Sequence, residues 1–304
     1  MILRDFEQVF EMVRGFQQPK RMLVVGAGSK NVLEGAFAGQ REGLAVPILI
    51  GRRDLILRLV EEGGWEDRPH SILDCEEGKA SAELAAGMAA EGEGDCLMKG
   101  LIESSDFLRP IVSSKYGLRA GGLVSQVGFA QLPGYGKLVA VSDAAVVPFP
   151  DIDKKQHMVE NIITAFRALG VERPSIGLLS ALEAESPNIP DTSDAVELMR
   201  RWREGAMSGC DLVGPISYDL AFSRESADIK GYDCPHCGAF DAIVCPNIVV
   251  ANVLVKCWNV TFGIPEGGVI MGTKVPIILN SRSMPAGDRL RSTAVAMAVA
   301  DGMK

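Results

Sequence analysis

The sequence predicts an α/β fold of two lobes, each built on a mainly parallel sheet with flanking helices. Two observations predict it. Short apolar runs ending in glycine, a charge or a turn residue alternate with stretches whose apolar residues recur at three- and four-residue spacing, the pattern of parallel strands joined by covering helices. The composition agrees, with 33 glycines and only 6% aromatic residues, the balance of a chain whose strands end in tight turns. At 304 residues and 47% hydrophobic content, the chain can bury the cores of two lobes.

Taken in order, RMLVVGAG, VPILIG, HSILD and DCLMKG read as buried strands. Residues 54–62, with Leu55, Leu57, Leu59 and Val60, and residues 77–90 read as helices between them. Past the middle, LVSQVGFAQL, KLVAVSD, SIGLLSA, CDLVGP, FDAIVCP, GGVIMGT and VPIILNS continue the strands. Helices are expected near 153–169, 191–204, 217–228 and 248–258. No internal repeat and no low-complexity linker divides the chain, so the boundary is placed at the polar, proline-bearing turn SDAAVVPFPDID. The expected first lobe is 1–145 completed by 275–304, and the expected second lobe is 146–274.

Charge and hydropathy narrow the function. A net charge of −8 argues against broad nucleic-acid binding, which needs a concentrated basic surface. Mean hydropathy is +0.14, yet no apolar run approaches the roughly 20 residues of a membrane helix. Arg4, Asp5 and Glu7 interrupt any secretory core, and seven scattered cysteines suit a reducing compartment, so a cytoplasmic protein with mostly buried thiols is expected.

Several motifs compete. GAGSKN follows the first strand, but Asn31 stands where a dinucleotide fingerprint needs its third glycine, and the second strand ends in Gly51, Arg52 and Arg53 rather than an acidic residue. It reads as a tight strand-to-helix turn. Cys234-Pro-His-Cys237 has redox spacing, but Gly238 and an apparent strand follow it instead of a helix. His236 and Cys245 offer further metal ligands without a second CxxC, so a surface hairpin is expected, with a metal site or a disulfide as the other readings. His157 sits beside Lys154 and Lys155, so a solvated helix face is expected for it, and no GxSxG, HExxH or P-loop occurs.

Two segments carry more. MKGLIESSDFLR places Lys99 at a strand's carboxyl end and the hydroxyls of Ser104 and Ser105 at a helix start, where exposed amides favour phosphate or where serine simply caps. VPIILNSRSMPAGD delivers Ser281 and Arg282 from a buried strand, then Asp288 before the last helix. Arginine grips phosphate through two parallel hydrogen bonds, while Asp288 taken alone is an ordinary N-cap.

Together with KYGLRAGGLVSQV, VSDAAVVPFPD, LLSALEAESPNIPDTSDA, VGPISYDLAFS, DAIVCPNIVVANVLVK and GTKVPIILNSRS, these blocks resemble the phosphate acetyl/butyryltransferase family over nearly the whole chain, and most resemble its compact butyryltransferase branch. The resemblance implies a fold similar to the isocitrate and isopropylmalate dehydrogenases, a homodimer formed through the second lobe, and reversible transfer of a short acyl group between coenzyme A and inorganic phosphate. It implies that Arg282 holds phosphate and polarises the acyl carbonyl beside Ser281, and that Asp288 is the base for the CoA thiol. Arg119 would bind CoA, while Ser104 and Ser105 would line the phosphate region; Lys99, at the strand end just before them, is a further substrate-binding candidate. Where members commonly carry an IEAGN-like pattern, this chain has IVVAN at 248–252.

Such a reaction needs neither metal nor redox cofactor. A free thiol is only a few per cent ionised at neutral pH, so a carboxylate base helps, and a fixed guanidinium offsets the charge of the tetrahedral intermediate. No cysteine has a base within sequence view, which favours direct transfer in a ternary complex. The alternatives are a phosphate acetyltransferase, a non-catalytic CoA-binding paralogue, and an NAD-dependent dehydrogenase of similar fold. The last would need paired metal-binding carboxylates, for which only Asp211 and Asp219 lie close in sequence.

Overall fold

A computed structural model describes residues 1–68, 70–280 and 284–304. The chain forms two compact units, one of residues 7–124 with 267–304 and the other of residues 1–6 with 125–266. The transitions at 124/125 and 266/267 replace the expected ones at 145 and 275. The strand before the SDAAVVPFPDID turn already hydrogen-bonds to later strands of the second unit, which moves the first transition upstream.

The first unit opens with α1 (Phe6–Arg14), β1 (Lys20–Val25), α2 (Lys30–Arg41), β2 (Ala45–Gly51) and α3 (Arg53–Gly63). It continues through β3 (Ser71–Asp74), α4 (Lys79–Ala90), β4 (Cys96–Lys99) and α5 (Ser104–Val112). The sequence reading left α1 out, although Phe6, Val9, Phe10 and Val13 are buried at helical spacing.

The second unit contains β5 (Ser125–Ala130), β6 (Val139–Ser142), α6 (Ile152–Ala168), β7 (Ser175–Leu179), α7 (Pro190–Arg203) and β8 (Asp211–Ile216). Then come α8 (Tyr218–Phe222), α9 (Arg224–Lys230), β9 (Ala242–Val244) and α10 (Ile248–Lys256), which runs into a π-helical turn at Cys257–Thr261. The chain returns to the first unit through β10 (Glu266–Met271), β11 (Ile277–Ile278) and α11 (Ala286–Gly302).

In the first unit the strand order is β3-β2-β1-β4-β11-β10, parallel except for the β10/β11 hairpin. In the second it is β5-β6-β9-β7-β8, parallel except for β5/β6. Met22 to Val25 and Leu97 are fully buried, as parallel strands covered on both faces must be. The mixed α/β class expected from the alternation is the one observed.

Three local expectations are corrected. The helix expected over 217–228 divides at Ser223, whose hydroxyl accepts Ser226 N–H at 3.1 Å and starts α9 as its N-cap. The Cys234–Cys237 segment is no surface hairpin: both side chains are buried among Phe240, Ile243, Cys245 and Trp258. It is a turn closed by Cys237 N–H donating to Cys234 O at 3.3 Å and held by Arg224, which donates to the carbonyls of Cys234 at 3.0 Å and Pro235 at 2.8 Å. Burial, reinforced by Cys234, pushes the Cys237 thiol up to about 11. Finally, Asp288 is not the cap of α11, since Pro285 occupies that position and Asp288 is buried in the first turn.

Candidate functional site

The first unit holds a cavity of about 200 Å³ at the carboxyl ends of β1 and β4, where parallel sheets commonly bind ligands. Glycine builds the floor beside it. Gly26 has φ +72°, and a Cβ there would stand 2.9 Å from Leu101 O; a Cβ on Gly100 would stand 2.4 Å from Gly26 O. Without side chains the two strand ends close on each other, through Gly100 N–H to Val25 O and Leu101 N–H to Gly26 O, both 2.8 Å. Lys99 is thereby held at the cavity wall.

Four elements contribute the lining. α2 supplies Ser29, Asn31, Val32 and Gly35; the end of β4 supplies Met98, Lys99, Gly100 and Leu101; Asn280 follows β11; and Arg289 comes from α11. Arg289 Nη1 donates to Asn31 O at 3.0 Å, which lays the arginine side chain along α2. Lys99 and Arg289 give the cavity positive charge, and Val32, Met98 and Leu101 give it an apolar wall. The far end of α11 is tied down as well, by Lys20 donating to Asp301 and by Lys304 Nζ donating to Asp95 at 2.9 Å.

Of the residues expected from sequence, Lys99 lines this cavity. Ser281 and Arg282 lie outside the described residues, but Asn280 immediately before them is in the wall. Asp288 adjoins the wall residue Arg289, and its carboxylate accepts a hydrogen bond from Arg291 Nη2. Ser104 and Ser105 are exposed in the first turn of α5, after the N-cap Glu103, and do not line the cavity. Nor does Arg119, exposed, with Nη2 donating to Gly122 O at 2.7 Å. Sequence reasoning missed Asn31 and Arg289. In the sequence Asn31 shows only as the residue in place of a fingerprint glycine, and Arg289 has no signal beyond its place next to Asp288.

The dehydrogenase reading loses its two supports. Glu77 Oε1 sits 2.0 Å from where a Cβ on Gly28 would be, so a carboxylate occupies the turn that would receive a pyrophosphate. Asp211 opens β8 and pairs with Arg173 at 2.7 Å, whereas Asp219 follows the strand's other end and pairs with Lys230 at 2.8 Å. Lys230 and Ser217 hold the Asp219 carboxyl down at about 2. Among the described residues no group of three or more His, Cys, Asp or Glu side chains is arranged to hold a metal ion.

In the second unit, Asp143 organises the loop that the sequence reading took as a boundary. Its carboxylate accepts N–H bonds from Gln126 at 2.7 Å, Ala145 at 2.7 Å and Val146 at 2.8 Å, yet burial outweighs them and pushes its pKa up. Asn252 Nδ2 donates to Ala144 O at 3.0 Å, so the asparagine of IVVAN fastens α10 to the same loop.

A family profile described as "Phosphate acetyl/butaryl transferase" matches residues 74–297. A phosphate acetyltransferase of Thermotoga maritima is 31% identical over 277 residues, which are 91% of this chain and 93% of that protein. A phosphate butyryltransferase of Clostridium acetobutylicum is 29% identical over 299 residues, 98% of this chain and 99% of that protein. The crystal structure of a branched-chain phosphotransacylase from Enterococcus faecalis V583 superposes with a TM-score of 0.83 at 28% identity, covering 92% of this chain and 99% of that one.

Proposed function

From its membership of the phosphate acetyl/butyryl transferase family, to which this chain belongs, we propose that it moves a short acyl group, with butyryl favoured over acetyl, between coenzyme A and inorganic phosphate. The chain is a phosphate acyltransferase, and the family supplies acyl-CoA and phosphate as its substrates. The observation that carries the finer reading is the cavity at the ends of β1 and β4, which puts Lys99 and Arg289 beside an apolar wall and is bordered by the chain neighbours of Ser281 and Asp288. An acyl phosphate has that same division, an anionic head on a short apolar tail. The butyryl preference rests on the resemblance of the sequence blocks to the butyryltransferase branch, to which the 29% identical Clostridium acetobutylicum protein belongs by its name.

In the direction that consumes acyl phosphate, CoA thiol gives its proton to Asp288 and the sulfur attacks the acyl carbonyl. The C–S bond forms, negative charge collects on the carbonyl oxygen, and that charge expels phosphate as the C–O bond breaks. Arg282 and Ser281 polarise the carbonyl and hold phosphate, and Lys99 and Arg289 add cations where the charge is greatest. Transfer is direct. Cys96 and Cys245 are fully buried thiols whose pKa is raised by burial, poor settings for a nucleophile.

The homodimer is proposed to form through α10 and the turn after it. Val253, Val260 and Phe262 are 63%, 74% and 67% exposed there, a concentration of apolar surface that suits an interface. One observation favours the non-catalytic reading instead: the Asp288 carboxylate is already engaged by Arg291. An assay of thiol release from acetyl-, propionyl-, butyryl- and isobutyryl-CoA with phosphate tests both readings. Phosphate-dependent release fastest with butyryl-CoA is expected. Equal or reversed preference sinks the butyryl assignment, and no release from any of the four favours the paralogue.

A further inference from the structure

Two glycines lie in the interior of α2, on the side that meets α11, and only one has a packing reason to be there. A Cβ on Gly39 would come 3.2 Å from Thr293 Cγ2, closer than side chains ordinarily approach. A Cβ on Gly35 would meet nothing nearer than Arg289 Cδ at 3.7 Å, an ordinary van der Waals contact. Gly35 also has no positive φ to require glycine. Glycine is among the poorest helix residues, so a glycine that neither backbone nor packing demands leaves the surrounding space as the remaining physical account. At Gly35 that space is the cavity, which it lines together with Val32, Met98 and Leu101.

The geometry points to Gly35 as the residue that sets the length of acyl group this enzyme accepts. The inference rests on the phosphate acyltransferase reading of the same cavity. Val32 and Gly35 are three residues apart on one helix and share a face, with Met98 and Leu101 completing an apolar pocket for the tail. The anionic head is held apart from it by Lys99 and Arg289. Because Arg289 donates to Asn31 O, one turn from Gly35, its stem runs past Gly35 and closes that side of the pocket. The whole cavity is about 200 Å³, where a single water needs roughly 10 to 15 Å³, so the absent side chain leaves room for several carbons. A branched side chain at this position would project into the volume that the third and fourth acyl carbons use.

The test compares wild type, Gly35→Ala and Gly35→Val with acetyl-CoA and butyryl-CoA, measuring kcat/KM for each and KM for phosphate. Discrimination by one methylene in an apolar pocket is roughly 10- to 200-fold. Gly35→Val is therefore expected to lower the butyryl-to-acetyl ratio by about tenfold or more while KM for phosphate stays within about twofold. Gly35→Ala should shift the ratio the same way by less, with an unchanged or higher Tm because alanine is the better helix former. An unchanged ratio in both variants overturns the proposal. An equal fall with both substrates together with a raised KM for phosphate also overturns it, since Gly35 would then serve only to let Arg289 pass. If wild type itself releases no thiol from either substrate, the transferase reading fails and the proposal with it; an active wild type with an unmoved ratio removes the proposal alone.

Discussion

Asp288 and Arg291 form an ion pair within the first two turns of α11, the aspartate side chain 3% and the arginine side chain 25% exposed. The group proposed to take a proton from CoA is therefore one half of a pre-existing, largely desolvated pair. That arrangement fixes the carboxylate's direction. It also makes the residue a structural member of α11, which a simple cap would not be.

Asp288→Asn is expected to lower kcat in the CoA-consuming direction by roughly 10² or more, because an amide cannot accept the proton. Unlike a capping aspartate, for which asparagine is an equal substitute, it should also cost about 1 to 3 kcal/mol of stability by leaving Arg291 without its carboxylate. Arg291→Gln separates the two effects: stability falls while the carboxylate remains and turnover persists. Steady-state kinetics and denaturant melts on both variants decide it. Wild-type kcat in Asp288→Asn would remove the base from the mechanism.

Arg289→Ala removes a guanidinium from the cavity wall and is expected to raise KM for phosphate by about 10- to 100-fold, the scale of one charge-assisted hydrogen bond. Arg289→Lys should restore part of this, since an ammonium supplies charge without the planar fork. An unaltered KM for phosphate in the alanine variant would show that Arg289 does no more than brace α2 through Asn31.

Stability should fall on the alkaline side. Burial pushes the thiols of Cys210 and Cys245 up to about 11 and about 12. The folded chain then keeps protons that an unfolded one, with thiols near 8.5, releases. This contribution is fully present below about pH 8.5 and is lost as pH rises toward the folded values, by roughly 1.4 kcal/mol per pH unit for each thiol. Urea midpoints between pH 8 and 10.5 should decline with pH, and Cys245→Ala should decline less steeply. Parallel declines would assign the loss to other groups.

Val253→Glu places a charge on the exposed apolar face of α10 without touching the cavity. Sedimentation velocity should show a dimer for the wild type and a monomer for the variant, with melting of the isolated variant little changed. A wild type that sediments as a monomer, or a variant that remains a dimer, would remove this face from the interface.

Much of the fold was legible because strand and helix periods are written in burial. Val24 and Val25 run straight into Gly26, and the alternation of such runs with α3 and α4 specifies a covered parallel sheet. α11 was less legible as a helix: residues 292–300 are buried throughout, so no polar face marks its period. The Cys234–Cys237 turn was misjudged for a related reason. Its spacing and the following glycine describe a turn, while its burial depends on a cluster that includes Val139 and Trp258, which no local pattern brings to it. In the site, Lys99 was readable from its place at the end of a strand. Arg289 and Gly35 were not, because the space they share is enclosed by segments more than 250 residues apart in the chain.

The position of β11 has a consequence for the order in which the molecule is made. Ile277 and Ile278 pair with Leu97 and Met98, so the edge of β4 next to the cavity stays bare until the chain has been synthesised past residue 278. Nearly all of the second unit, residues 125–266, leaves the ribosome before that edge is covered. Its pairings β5/β6, β6/β9, β9/β7 and β7/β8 all close within residues 125–266, so it can fold as a block, whereas β4 must wait for a partner some 180 residues later. The β4 edge is therefore the exposed surface of the nascent protein, the place where a chaperone or a wrongly paired strand would attach. A chain terminated before α11 carries the whole of 125–266 and yet has no Arg289 to close the cavity, so the cavity is the last feature of the first unit that the polypeptide completes.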